Sequence, residues 1–162
     1  MTEIALYLLE KVLDLLPRWM VRRLLPPQRI AQQIEIDLRR INPIAISFKS
    51  TEFPCVDAWF RISNQSQVNL VLDRLLIDLW VNQPMLRGTV LRRAEIPRRT
   101  TKDDVHFWHD LTTTQEERVR KHVDEKGILT VPVAINLDAY FESKVGFVHV
   151  RATLEQRGVV VQ

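Results

Sequence analysis

The residues best suited to chemistry sit in one short run, His106-Phe107-Trp108-His109-Asp110. Two histidines three positions apart share a face on a helix, but on a strand side chains alternate and the pair points to opposite faces. A zinc site takes about four ligands of the Cys, His, Asp or Glu type. The remaining candidates, Cys55, His122 and His149, are scattered along the chain. His109-Asp110 also resembles the metal-binding pair of certain phosphohydrolases, whose further histidines and carboxylates are missing here. A metal-dependent hydrolase built on His106, His109 and Asp110 is therefore the weakest reading, and no metal or other cofactor is expected.

Cys55 follows Phe53-Pro54 at a strand entrance and is the only cysteine, which excludes an internal disulfide. A nucleophilic cysteine needs a histidine held within hydrogen-bond range. Without one, Cys55 reads as a buried structural thiol. There is no Gly-x-Ser-x-Gly elbow. The four glycines, Gly88, Gly127, Gly146 and Gly158, are too far apart to form a phosphate cradle. No catalytic residue is assigned, and the chain reads as a non-enzymatic module.

Charge is the more informative signal. Lys+Arg 23 against Asp+Glu 20 leaves only +3, too little for a polybasic nucleic-acid binder. Yet residues 87–102 hold six cations, Arg87, Arg92, Arg93, Arg98, Arg99 and Lys102, against the single anion Glu95. Arg92, Arg93, Arg98 and Arg99 could grip an anionic surface such as lipid headgroups. Binding nucleic acid by base stacking would want aromatics among these arginines, and the stretch has none, so nucleic acid is disfavoured. A solvated edge guarded by charge is the plainer alternative.

The second signal lies in residues 4–25, IALYLLEKVLDLLPRWMVRRLL. Glu10, Lys11, Asp14 and Arg18 interrupt this run and Pro17 sits in its middle, which does not fit a spanning helix. A secretory leader would place positive charge before the apolar core, and this order is absent. The expected location is therefore cytoplasmic, peripheral to a membrane. At helical spacing Glu3, Tyr7, Glu10, Lys11, Asp14 and Arg18 fall on one arc, while Ile4 to Leu16 supply a wide apolar remainder. Pro17 should kink or restart the helix. No acid occurs between Leu15 and Ile34, while Arg18, Arg22, Arg23 and Arg29 surround Trp19. An apolar face flanked by arginine and tryptophan suits a bilayer interface. Leu6, Leu9, Leu13, Leu16 and Trp19 would insert, with Arg18, Arg22 and Arg23 at the headgroups. The same face could instead dock on a membrane-associated protein complex or a second copy of the chain.

Apolar residues at 46% and charged residues at 27% are the balance of a folded domain. Past Asn42-Pro43 the period changes to two. Val56, Ala58, Phe60 and Ile62 form one face of a strand. Further strands are expected at Ile44–Phe48, Val68–Leu72, Leu75–Val81, Leu86–Arg92, Thr101–Trp108, Leu129–Leu137, Gly146–Leu154 and Val159–Val161. One surface helix should begin at the capping box Thr113-Thr114-Gln115-Glu116, carry Glu116/Arg120 and Glu117/Lys121 pairs, and end at Gly127. This pattern predicts a mainly β chain: an immunoglobulin- or fibronectin-III-like β-sandwich over 34–162, with an amphipathic helical anchor or docking segment over 1–33.

The segments Phe60-Arg61-Ile62-Ser63-Asn64-Gln65-Ser66, Leu70-Val71-Leu72-Asp73-Arg74-Leu75 and Val145-Gly146-Phe147-Val148-His149-Val150 resemble the late-embryogenesis-abundant group 2 (water-stress and hypersensitive-response) domain over about residues 44–161. Val81-Asn82-Gln83-Pro84 stands where that family has Asn-Gly. The resemblance implies a fibronectin-III-like sandwich without enzymatic activity, found in stress-protective or membrane-associated proteins, and brings no catalytic residues.

Overall fold

The computed structural model describes residues 11–13, 15–48, 53–91 and 93–162. The chain is mainly β and forms two antiparallel sheets. In the first, β3 (Cys55–Asn64) is the spine. Its alternating side chains Val56, Ala58, Phe60 and Ile62 are all fully buried, as the period-two pattern predicts. β1 (Ile34–Leu38) and β2 (Ile44–Ser47) lie end to end along one edge of β3, and β7 (Thr100–Asp110) lies along the other.

The second sheet repeats this plan around β4 (Leu70–Val81). β5 (Gln83–Val90) and β6 (Ala94–Ile96) share one edge of β4, and β8 (Val133–Ser143) and β9 (Gly146–Gln156) follow on the other. Leu75, Ile77, Leu79 and Val81 point inward, with Leu76, Asp78 and Trp80 on the outer face. The buried faces of both sheets form one apolar core, a sandwich-like arrangement. At Gly88 the sheets approach so closely that an added Cβ would stand 2.5 Å from the Phe107 ring. Any larger residue there would have to displace the buried Phe107 ring.

Several boundaries differ from the sequence reading for identifiable reasons. Asp73-Arg74 does not break a strand. The register shifts between Leu72 and Arg74, so the two acidic and basic positions form a bulge in one continuous β4. Pro84 lies within β5, an edge strand where a missing N–H is tolerated. β1 and β6 were not expected as strands. β8 starts at Val133 rather than Leu129, because Leu129 instead bridges back to Val123. Val160 and Val161 make only isolated bridges, to Ile128 and Ile46.

Among the described residues the helices are few and short. Residues 11–13 are helical, and Pro17 caps a restarted helix α1 (Arg18–Leu24). Pro26-Pro27 opens a further turn, α2 (Pro27–Ala31), where proline suits the first helical position. The surface helix α3 spans Thr113–Arg120, with Val119 its one buried residue. Its capping box is formed by Thr112 and Gln115, one residue earlier than the spacing suggested, and Gly127 lies beyond its end. Arg120 Nε donates to Glu116 Oε1 at 2.8 Å. No helix among the described residues is long and apolar enough to cross a membrane.

Candidate functional site

The N-terminal helices are seated on the sandwich by one residue per turn or so. Leu13, Val21 and Ile30 join the common core. α2 packs on β9, and Lys144 Nζ in the β8–β9 turn donates to the Leu13 carbonyl at 2.8 Å. Leu13 therefore faces the protein interior and is not an outward anchor. Leu16 is half-buried against the same core. Leu6 and Leu9 lie outside the described residues.

What these contacts leave outward is cationic and apolar together. On α1, Arg18, Arg22, Trp19 and Arg23 occupy an arc of about 140° at helical spacing. All four are exposed, Trp19 to 66%. Val21 lies on the opposite side and is fully buried. Next to this arc in sequence, Leu15 is 85% exposed and Leu24 55%. The sequence pattern puts Val12 and Leu15 on the apolar arc but names neither them nor Leu24 among the inserting residues. Burial of Leu13 and Val21 selects which side of each turn is left outward, and that choice depends on partners far along the chain.

The helices lead into β1 at one end of the sandwich, and a buried polar knot organises that end. Asn64 and Ser66 are almost wholly buried. The Asn64 side-chain amide donates to the carbonyls of Val68, Ile96 and Pro97 at 2.9, 3.1 and 3.1 Å. Its Oδ1 accepts from Ser66 N and Ser66 Oγ at 3.0 and 2.6 Å. One side chain thus satisfies donors and acceptors of two separate segments, the 65–69 crossover and Ile96-Pro97, which is how a polar group is tolerated in a core. The 65–69 crossover is held to the N-terminal segment by Gln65 N donating to Gln33 O at 2.9 Å. It is held to the Pro97–Arg99 turn by Arg98 N on Asn69 Oδ1 and Arg99 Nη2 on Gln67 Oε1, both 3.0 Å. Arg99 is exposed and has φ of 56°, the left-handed region.

The other members of the basic segment are placed differently. Arg93 pairs with Glu142 at 2.8 Å and Arg87 with Asp78. Lys102 Nζ is 3.4 Å from Asp104. Arg92 lies outside the described residues. Arg87 and Arg93 are therefore met by acids on neighbouring strands and Lys102 by an acid on its own, while Arg98 and Arg99 are held in a tight turn.

Three comparisons with known proteins bear on the fold. No protein-family model matches the chain, and no curated protein matches it in sequence. Among solved structures, a crystal structure of a protein from Archaeoglobus fulgidus superposes with a TM-score of 0.50 at 9% identity, covering 78% of this chain and 94% of that one. At that identity the likeness is one of fold. A red sea bream transglutaminase structure is matched with a TM-score of 0.38 at 13% identity, over 88% of this chain and 18% of that one.

The run His106–Asp110 lies on β7, and the strand separates its histidines. His106 Nε2 is 2.7 Å from Asp57 Oδ1, and its ring stacks on Trp59 at 4.0 Å on the outer face. His109 lies parallel to Phe107 on the side of the sheet that faces the core. Among the described residues no three His, Cys, Asp or Glu side chains come together as a metal-holding group. Cys55 is buried, and burial pushes its thiol above the ordinary value. A hydrogen bond with Trp108 works against that, while the charges of Asp57 and Asp110 add to it. A thiol held protonated is a poor nucleophile.

Proposed function

We propose that this chain is a non-enzymatic interaction module, of the immunoglobulin- or fibronectin-III-like kind that the group 2 late-embryogenesis-abundant resemblance implies, held at an anionic membrane surface through its N-terminal helices. The observation that carries this reading is the outward arc of α1, where Arg18, Arg22 and Arg23 surround Trp19 beside the exposed Leu15. The absence of any acid between Leu15 and Ile34 supports lipid over a mixed-charge protein partner. Each cation near an anionic leaflet contributes on the order of 1 kcal/mol, and an interfacial tryptophan adds apolar burial with a polar edge at the headgroups.

Co-sedimentation with phosphatidylcholine vesicles, with and without phosphatidylserine, tests this. The full chain should pellet with the anionic vesicles and be released by salt. Replacing Arg18, Arg22 and Arg23 together by Gln should weaken partitioning on the order of a hundredfold. Equal pelleting with both vesicle types, or none with either, removes the membrane reading. A concentration-dependent oligomer in light scattering, lost in the same variant, would favour docking between copies instead.

A further inference from the structure

The two cationic segments of the sequence, which are some seventy residues apart, meet at the same end of the sandwich. β3 ends at Asn64 opposite Ile34 and Thr100, and β4 begins at Leu70 opposite Ile96 and Ser143. The N-terminal helices, the Pro97–Arg99 turn and the Ser143–Gly146 hairpin therefore all flank the 65–69 crossover. Gln33 clasps it on one side and Arg99 on the other.

We infer that this end of the sandwich docks end-on against an anionic lipid bilayer, with the Arg99 turn as a second contact that fixes orientation. This rests on the membrane reading of the N-terminal helices and adds a surface to it. Charge complementarity is the argument. The end carries Arg18, Arg22, Arg23 and Arg29 from the helices together with the exposed Arg99, which donates to the neutral Gln67. The acids near this end are fewer: Glu142 is matched by Arg93, and Glu35 and Glu95 are exposed. Phe147, 70% exposed one residue beyond Gly146, adds an apolar group beside the same hairpin. The Asn64 knot ties the Pro97 carbonyl to the core, so the turn is presented on a fixed frame. Two separated contacts on a rigid body restrict its tilt, which a single helix does not.

The test uses the full chain with vesicles of phosphatidylcholine and phosphatidylserine. Arg99→Gly removes the charge and relieves the positive φ, so folding is not at risk. It should lower partitioning about fivefold, and Arg99→Glu should lower it further. Lys126→Glu, an exposed change at the opposite end, should leave partitioning unchanged. If Arg99→Gly and Arg99→Glu bind as the unaltered chain does while the Gln replacements at Arg18, Arg22 and Arg23 abolish binding, end-on docking is overturned and the helical tether stands. If Lys126→Glu weakens binding as much as Arg99→Glu, the effect is one of net charge and the inference fails. If the unaltered chain ignores anionic vesicles, both readings fall. Retention on nucleic acid without retention on vesicles would likewise overturn it.

Discussion

The two ends of the sandwich are built from the same strands and differ in how they handle charge. At the end that receives the N-terminal helices, cations are exposed beside Leu15, Trp19 and Phe147. At the other, Arg120 is occupied twice, by Glu116 and by the Phe48 ring 4.2 Å from its guanidinium. Asp124 there accepts from the backbone N–H groups of Lys126 and Ile128. The C-terminal segment closes this end through Phe48 N on Gln162 O and Gln162 N on Ile46 O. Both ends leave apolar groups outward, Phe53, Trp80, Trp108 and Val160 at this one; what sets the helix end apart is the row of exposed arginines on one short helix.

The largest effect in breaking this contrast should come from the polar knot. Asn64→Ala leaves the carbonyls of Val68, Ile96 and Pro97 without their donor in a buried site. The expected cost is about 3 kcal/mol, read as a lowered midpoint in urea unfolding. Amide exchange should rise first at the Pro97–Arg99 turn, ahead of α3. A loss under about 1 kcal/mol would mean that water replaces the amide and that this end is less rigidly framed.

A smaller effect tests the closed end. Thr112 caps α3, accepting from Gln115 N while the Gln115 side chain returns to Thr112 N at 2.8 Å. Thr112→Ala should cost about 1 kcal/mol and leave vesicle partitioning untouched. A change in partitioning would show that the two ends are not independent.

The β core was largely legible because its signal is local. Val56 to Ile62 and Leu75 to Val81 alternate cleanly, and the sheets bury those positions. β6 escaped notice because three residues between arginines carry no period. β1 escaped because its alternation is short and follows directly on helical residues. The site was legible only as two separate basic stretches and an apolar run. Which leucines face outward depends on contacts such as Lys144 to Leu13, made across most of the chain. The Asn64-Gln65-Ser66 segment resembles a family motif, but its bonding to Ile96 and Pro97 is non-local and invisible in spacing. Likewise, counting charge along residues 87–102 misses Glu142 and Asp78, the acids that neighbouring strands bring to Arg93 and Arg87.

The smallest effect concerns the waist between the ends, which must stay nearly neutral for the contrast to hold. On the outer face of the second sheet, Asp138 Oδ1 meets His149 Nε2 and Arg151 Nε, each at 2.8 Å. Tyr140 stacks on His149 at 4.5 Å, with Arg74 over its ring. Burial alone would raise the Asp138 carboxyl, but hydrogen bonds and charge from His149 and Arg151 outweigh it and hold the group below its ordinary value. The folded state thus keeps this carboxylate ionised at a pH where the unfolded chain, titrating at about 3.9, takes up a proton. The stabilisation is complete above that pH and fades as acid reaches the folded value. Since Asp138 is more than a third exposed, screening keeps the contribution under about 1 kcal/mol. Urea midpoints of the unaltered chain and Asp138→Asn should therefore differ slightly at neutral pH and converge in acid. A gap that persists unchanged into acid would show that the carboxylate does not couple to His149 and Arg151, and that the waist turns cationic without cost.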